Sequence, residues 1–205
     1  MAELTNVAVI GSGVLGSQIA FQAAYFGKTV TVYDISDEII GALPGKWEKL
    51  SLLYTRDMAA TPEQLDAAKS RLSGTTDLAA ALADADIVIE AVPENLELKK
   101  KVWAQIGEAA PKKTILCTNS STLLPSDIAE STGHPERFLA LHFANEVWRN
   151  NTGEVMGHAG TDPAAAQAVL QFAEEIGMVP IHIQKEQAGY ILNTCLLYTS
   201  DAADD

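Results

Sequence analysis

The residues of this chain that could do chemistry are concentrated in one stretch of its second half. His142 is followed twelve positions later by Glu154, and Asn145 lies between them. An imidazole titrates near neutral pH, so it can accept a proton in one direction of a reaction and return it in the other. A carboxylate on the second ring nitrogen would fix the tautomer and stabilise the imidazolium. The spacing alone does not establish such a pair, since a single histidine at a strand end is more often structural, and its interpretation depends on the rest of the chain.

A glycine-rich segment near the N-terminus supplies a second candidate site. The sequence GSGVLG places Gly11, Gly13 and Gly16 after a β-branched run and before an amphipathic pattern. In that context the first glycine permits a tight turn, the second lets the backbone approach a pyrophosphate, and the third allows close helix–strand packing. The other members of this predicted coenzyme loop are Ser12, Val14 and Leu15.

An acidic residue completes the nucleotide pattern. Asp34 ends the next predicted strand, 18 residues after Gly16, where a carboxylate accepts hydrogen bonds from the adenosine ribose. Ile35 and Ser36 follow and offer no arginine to a 2′-phosphate, so the pattern favours NAD over NADP. Two alternatives stay open: FAD, which shares the fingerprint although no second flavin motif is recognisable, and a glycine-rich turn that binds no nucleotide.

The two candidate sites need a scaffold, and the hydrophobic pattern predicts one. Short β-branched runs alternate with longer helical patterns, which is typical of an α/β fold with a doubly wound, mainly parallel sheet. Predicted strands cover residues 6–11, 29–34, 85–92, 114–120, 137–143, 153–158 and 178–183. Predicted helices cover 14–27, most of 36–72, 95–110, 126–132 and 162–177, and a further helix opens at 188–193.

Composition narrows the classes of partner. The chain has 205 residues, 47% of them hydrophobic and 20% charged, which is an ordinary globular balance. Its formal net charge of −13 disfavours nucleic acid and anionic membranes as partners. No apolar run approaches the roughly 20 residues that span a bilayer, and the N-terminus lacks a basic signal-peptide region. The two cysteines and the absence of metal-ligand spacing favour a reduced, metal-free cytoplasmic protein.

The last residues do not read as part of a domain. A helix opens at AGYILN (188–193), and the chain then runs CLLYTSDAADD to its end. Back-translated, CLLYTSDAAD resembles the mosaic-end adaptor of transposon-based sequencing libraries. We therefore expect residues 195–205 to be adaptor read-through and the natural part to be an N-terminal fragment of a longer protein. The alternative is a natural acidic C-terminus.

Several dispersed segments together resemble the N-terminal domain of the L-3-hydroxyacyl-CoA dehydrogenases, of the 3-hydroxybutyryl-CoA dehydrogenase kind. They are GSGVLGSQIA, IEAVPENLELKKKVWAQI, TNSST, LHFAN, GEV and AGYILN, and the resemblance covers nearly all of residues 5–194. It implies a Rossmann-type NAD-binding domain over 1–186, with 187–194 opening a missing all-α domain through which the intact protein would form a homodimer. The implied reaction interconverts a short-chain L-3-hydroxyacyl-CoA and its 3-oxoacyl-CoA, within fatty acid metabolism.

The resemblance also assigns roles to individual residues. It implies that His142 is the catalytic base, that Glu154 is its paired acid, and that Ser121 and Asn145 contact substrate and nicotinamide. The remaining assignments are Asn193, on the first helix of the second domain, and Glu94 and Lys99, as cofactor contacts. Simpler interpretations exist, since Ser121 or Asn193 could cap a helix. Lys99, Lys100 and Lys101 could form a solvated helix face.

Two positions beside the substrate depart from the family pattern, since Glu146 and Ala188 stand where the family has proline. Of the family residues that touch CoA, the serine position falls at Leu50 and the lysine position falls near Asp57, with Arg56 beside it. The acyl carrier or chain-length preference is therefore open. The alternatives are a dehydrogenase of a 3-hydroxy acid without CoA, of the L-gulonate or carnitine type, a non-catalytic nucleotide-binding relative like the lens crystallin of this superfamily, and a fragment that binds NAD without turnover.

Overall fold

The computed structural model of this chain describes residues 3–194. The predicted adaptor segment 195–205 lies outside the described residues. The strands are β1 (Asn6–Ile10), β2 (Thr29–Tyr33), β3 (Leu72–Thr75), β4 (Ile87–Glu90), β5 (Ile115–Thr118), β6 (Phe138–Phe143), β7 (Thr152–Met156) and β8 (Val179–Ile183). The helices are α1 (Val14–Tyr25), α2 (Asp37–Gly41), α3 (Leu43–Met58), α4 (Pro62–Ser70), α5 (Leu78–Leu82), α6 (Leu96–Ala109), α7 (Pro125–Ile128) and α8 (Pro163–Glu175).

The strands form one sheet in the order β3-β2-β1-β4-β5-β6-β7-β8. Strands β1 to β6 pair in parallel, β6 pairs antiparallel with β7, and β7 pairs in parallel with β8. The predicted Rossmann-type doubly wound, mainly parallel sheet is confirmed. The strand order reverses between β1 and β4, and ligands of such sheets bind in the crevice beyond the carboxyl ends of the strands at that point.

The alternation of side chains along β1 explains why the sheet is covered on both faces. Val7 and Val9 belong to a core cluster on one side, together with α1, α3 and α8. Ala8 and Ile10 belong to a cluster on the other side, which includes α6 and the short helix α7. Because neighbouring side chains of a strand point to opposite faces, a continuous apolar strand requires helices on both.

The structure refines the predicted boundaries between residues 36 and 82. The segment predicted as mostly helical contains three helices, and Ala59 with φ 53 ends the longest of them. A capping box between Thr61 and Gln64 then starts α4. Two elements were not predicted, namely the edge strand β3 and the five-residue helix α5. Residues 126–132 form part of α7 and a 3₁₀ turn in place of one continuous helix.

Candidate active site

His142 and Glu154 meet because the sheet pairs them directly. In the antiparallel pair of β6 and β7 they occupy opposite positions of the register, so their side chains project from the same face. The distance between His142 Nδ1 and Glu154 Oε2 is 2.6 Å. His142 is 6% exposed and Glu154 is completely buried. The backbone register of the sheet thus brings the two residues of the predicted acid/base pair into contact.

The second carboxylate oxygen of Glu154 fixes the direction of this pair. Glu154 Oε1 accepts hydrogen bonds from the backbone N–H of Ile191 at 2.8 Å and of Leu192 at 3.0 Å. These donors belong to the first turn of the helical residues 190–194, where a negative charge is stabilised by the helix dipole. A carboxylate only accepts hydrogen bonds, so His142 donates from Nδ1 and its Nε2 is the acceptor nitrogen.

Tyr190 closes the other side of the imidazole and was not predicted as a site residue. Its ring centroid lies 5.0 Å from that of His142 at an interplanar angle of 45°. Its hydroxyl donates to the carbonyl oxygen of Leu123 at 3.3 Å. Burial, followed by the charges of nearby carboxylates, raises the pKa of Tyr190, so it remains a protonated donor. Tyr190 is completely buried and shields the imidazole from water.

Ser121 lies on a loop organised by Glu94. Glu94 Oε1 accepts from the backbone N–H groups of Ser121 and Thr122, each at 3.0 Å, and also from the hydroxyls of Ser120 and Thr122. Asn193 Nδ2 donates to the carbonyl oxygen of Ser121 at 3.0 Å. Ser121 does not cap α7, because the N-cap of that helix is Leu124 and has no side-chain bond. The Asn193 amide instead connects the residues after β8 to this loop.

The carboxylate of Glu94 is stabilised in its charged form. Burial alone would raise its pKa, but hydrogen bonds from Ser120 and Thr122 and the charge of Lys99 outweigh burial and lower the pKa to about 2. The Lys99 ammonium lies 3.4 Å from Glu94. An ionised Glu94 thus holds the Ser121 loop at the pH of any ordinary assay.

Lys99 is not on a solvated helix face, because its side chain is only 1% exposed. Its Nζ lies 2.6 Å from Glu90 Oε1, and Glu90 Oε2 accepts from Trp103 Nε1 at 3.0 Å and from Thr118 Oγ1 at 2.8 Å. Glu90 is completely buried and was not predicted. This ion pair lies under the segment 91–94, which follows β4 at the coenzyme crevice, and the predicted contact of Lys99 with coenzyme stays a prediction.

The three glycines of the loop have the geometry that their predicted roles require. Gly11 has φ +98, and a Cβ there would lie 2.9 Å from the carbonyl oxygen of Ala91. A Cβ on Gly16 would overlap the carbonyl oxygen of Gly11, so helix and strand pack at backbone distance. A Cβ on Gly13 would meet nothing within 4 Å. The loop is therefore open at Gly13, the position at which a pyrophosphate would approach the start of α1.

A cavity of about 540 Å³ adjoins this loop at the switch point of the sheet. Asp34 lines it, and its Oδ2 accepts from the backbone N–H and the hydroxyl of Ser12, both at 2.7 Å. Val14 is exposed and Leu15 half-buried at the start of α1. The cavity is mostly apolar, being also lined by Ile10, Gly11, Gly13, Tyr33, Ile35, Leu78, Ala91, Val92, Pro93, Leu98, Val102 and Gln105. These residues fit an adenosine with its diphosphate.

Asn145 lies on the loop 144–151 that connects β6 to β7, and its side chain is exposed. Glu146 has φ 58, which a proline cannot adopt, so the family's proline would not fit this backbone conformation. Gln18 of α1 bonds to this loop and was not predicted. Trp148 Nε1 donates to Asp57 Oδ2 at 2.9 Å. Asp57 lies near the position where the family has a lysine that contacts CoA, and its carboxylate already binds another side chain of this chain.

Residues 3–194 contain neither a candidate metal site nor a candidate membrane-spanning helix. No group of three or more His, Cys, Asp or Glu residues in this part of the chain is arranged to hold a metal ion. Among its helices, none combines the length and apolarity that crossing a membrane requires.

The predicted site residues form two adjoining regions. The His142 region contains Glu154, Ser121, Glu94 and Asn193, and the nucleotide cavity contains the glycine loop and Asp34.

Comparisons with known proteins agree with this geometry. A family model described as 3-hydroxyacyl-CoA dehydrogenase, NAD binding domain, matches residues 6–187. L-carnitine dehydrogenase of Pseudomonas syringae pv. syringae (strain B728a) is 34% identical over 199 residues, which cover 96% of this chain and 60% of the relative. 3-Hydroxyadipyl-CoA dehydrogenase of Escherichia coli (strain K12) is 37% identical over 194 residues, which cover 94% of this chain and 40% of the relative.

A solved structure is more similar still. The solved structure of a diketoreductase superposes with a TM-score of 0.96 at 52% identity. That protein is described as carrying out substrate-directed dual catalysis of dicarbonyl compounds. The match covers 99% of this chain and 72% of that chain. By contrast, the chain spans only 60% and 40% of the two curated relatives. Since the family model covers residues 6–187, the chain belongs to the 3-hydroxyacyl-CoA dehydrogenase family and carries its NAD-binding domain.

Proposed function

We propose that the protein is an NAD-dependent oxidoreductase that interconverts a 3-hydroxyacyl compound and its 3-oxoacyl counterpart. The observation that carries the proposal is the His142–Glu154 contact of 2.6 Å, formed by two buried residues in the family's NAD-binding domain. A non-catalytic nucleotide-binding protein has no use for a buried imidazole held in one tautomer. The retained Ser121 and Asn145 also argue against the non-catalytic alternative.

The residues divide the reaction between them. Nε2 of His142 takes the proton of the substrate hydroxyl during oxidation and returns it during reduction. Glu154 stabilises the imidazolium that forms, because its charge is fixed 2.6 Å from Nδ1. Ser121 and Asn145 donate hydrogen bonds to the substrate oxygen, where charge changes during the reaction. Asn193 holds the Ser121 loop. Bound NAD supplies the hydride acceptor.

The coenzyme would lie across the glycine loop. Backbone N–H groups from Gly13 to Gly16 would bind the diphosphate, with Val14 and Leu15 in the first turn of α1. Asp34 would accept from the adenosine ribose, and an acid here opposes the 2′-phosphate of NADP. Glu94 and Lys99 would contact the nicotinamide half. For Glu94 this is supported by its place between the coenzyme crevice and the Ser121 loop.

Two substrate classes fit the family. A short-chain 3-hydroxyacyl-CoA is supported by the match to 3-hydroxyadipyl-CoA dehydrogenase. A 3-hydroxy acid or dicarbonyl compound without CoA is the second candidate. It is supported by the matches to L-carnitine dehydrogenase and to the diketoreductase, and by Asp57, whose carboxylate is already bonded to Arg56 and Trp148.

The length of the relatives bears on the rest of the protein. We propose that residues 1–186 form the NAD-binding domain and that 187–194 open a helical domain beyond this sequence. That domain would complete the cleft and form a homodimer. A cytoplasmic location and a role in fatty acid metabolism belong to the same proposal. All activity measurements below therefore use the full-length gene product.

The reaction is tested by NADH oxidation with acetoacetyl-CoA, and in parallel with ethyl acetoacetate and free acetoacetate. His142→Ala should lower kcat at least 100-fold, since general acid–base groups contribute on that order, without weakening NADH binding. His182→Ala is the matched control, because His182 is exposed on β8. Turnover that survives in His142→Ala would refute the proposal. The relative kcat/KM of thioester, ester and free acid decides between the two substrate classes.

A further inference from the structure

The backbone on both sides of Asn145 is fixed by side chains. The carbonyl oxygen of Asn145 accepts from Nδ2 of Asn150 at 2.7 Å. The next two peptide N–H groups, of Glu146 and Val147, both donate to Gln18 Oε1, at 2.8 Å and 3.3 Å. The side-chain amide of Asn145, by contrast, takes part in none of the hydrogen bonds within residues 3–194. The loop therefore holds the main chain of this residue and leaves its amide for a ligand.

Gln18 connects this loop to the coenzyme helix. It lies on α1 two residues after Gly16, within the turn that follows the glycine loop, and it is 8% exposed. Its acceptor oxygen reaches residues 128 and 129 positions away in sequence. One buried side chain thus joins the helix that faces the coenzyme diphosphate to the loop that carries Asn145.

The conformation at Glu146 depends on this acceptor. A φ of 58 is unfavourable for a residue other than glycine, and such a conformation persists only when surrounding contacts determine it. With Glu146 in the left-handed region, consecutive N–H groups converge on one oxygen, and Gln18 provides that oxygen. Loss of the acceptor would leave two partly buried N–H groups without a partner and release the loop.

We propose that Gln18 is a positioning residue for the reaction proposed above. It fixes the peptide that follows Asn145, so that the Asn145 amide meets the substrate oxygen at a set distance from coenzyme bound along α1. The inference rests on the proposed function, since it assigns the Asn145 amide to the substrate. Gln18 would act through this peptide and is assigned no contact with substrate or coenzyme.

The first test is Gln18→Met, which removes the acceptor and keeps a similar volume. We expect kcat/KM for the 3-oxoacyl substrate to fall about 10- to 100-fold, because a misplacement of about 1 Å has effects of this size. The loss should lie mainly in kcat, and the Kd of NADH should not change, because the glycine loop is intact. Gln171→Met is the matched control, since Gln171 is exposed on α8.

A second variant tests the same contact. Gln18→Glu keeps the side-chain length and an acceptor oxygen at the same position, so it should lose less kcat/KM than Gln18→Met. Equal losses in the two variants would mean that the acceptor does not position the loop, and would overturn the proposal.

Amide hydrogen exchange separates this inference from the proposed function. In Gln18→Met the N–H groups of Glu146 and Val147 should exchange faster than in the wild type, whether or not a substrate is known. Unchanged exchange, or unchanged kcat/KM in an active enzyme, would overturn the role of Gln18. A wild type without turnover on any 3-oxoacyl compound would overturn the proposed function, while the exchange result would still decide whether Gln18 holds the loop.

Discussion

A Glu154→Gln variant cannot make both groups of hydrogen bonds that the carboxylate makes. The carboxylate serves the imidazole through Oε2 and two backbone N–H groups through Oε1. Glutamine has one acceptor oxygen, so its NH₂ group must face one set of donors. If NH₂ faces His142, the imidazole must accept at Nδ1 and carry its proton on Nε2, which then cannot take the substrate proton. If NH₂ faces the helix, two N–H groups lose their acceptor.

Either arrangement has a measurable magnitude. The first should lower kcat by roughly 10²- to 10⁴-fold, as expected for an imidazole in the wrong tautomer. The second should lower the free energy of unfolding by roughly 1–3 kcal/mol, the cost of an unsatisfied buried donor. The nucleotide cavity does not include Glu154, so the Kd of NADH should be unchanged.

Initial rates of NADH oxidation and urea unfolding of the full-length protein measure both effects. Glu97→Gln is a matched control, because the Glu97 side chain is 85% exposed. If Glu154→Gln kept the kcat and the unfolding free energy of this control, the carboxylate would neither orient the imidazole nor hold the helix, and the reasoning would fail.

Three further predictions concern the coenzyme side. The pKa of Glu94 is lowered from 4.5 to about 2, so the ionised carboxylate stabilises the folded protein. This contribution is roughly 1–2 kcal/mol after discounting for a side chain that is one-third exposed. It is complete above pH 4.5 and is lost as the pH falls toward 2. Urea midpoints of wild type and Glu94→Gln should accordingly converge in that window. Gly13→Ala should fold normally, because a Cβ there meets no other atom, and it should bind NADH more weakly in a titration. Gly16→Ala should unfold at a lower temperature, because its Cβ would overlap the backbone of Gly11. Lys99→Met should lower the unfolding free energy by roughly 3–5 kcal/mol by leaving a buried carboxylate unpaired, and an equal loss in exposed Lys101→Met would contradict the buried pair.

The fold was largely predictable because its central strands are buried on both faces. Such strands appear in the sequence as continuous β-branched runs, and β4 and β6 are buried at every residue. The edge strand β3 was missed because Leu72–Thr75 is half exposed and contains Gly74, so it lacks both apolar continuity and alternation. Its pairing with β2 comes from tertiary structure and not from local preference.

The candidate site was predictable to the extent that motifs carry it. His142, Glu154 and the glycine loop stand in recognisable local patterns, whereas Gln18, Tyr190 and Glu90 do not. Gln18 bonds to a peptide 128 residues away, and the partners of Glu90 come from α6 and β5. Only the three-dimensional structure shows such contacts. The buried setting of Lys99 was missed because its neighbours Lys100 and Lys101 suggested a solvated surface.

Because of the register of β6 and β7, the His142–Glu154 contact and the connection 144–151 can respond differently to sequence changes. His142 and Glu154 face each other through backbone pairing, so their distance does not depend on the length or sequence of the connection 144–151. That same connection carries Asn145 and the contacts with α1 and α3. Insertions or substitutions there can remodel the loop that we propose to meet the substrate, while the His142–Glu154 contact stays intact. Descendants of one gene can therefore diverge in the compound they accept without rebuilding this contact.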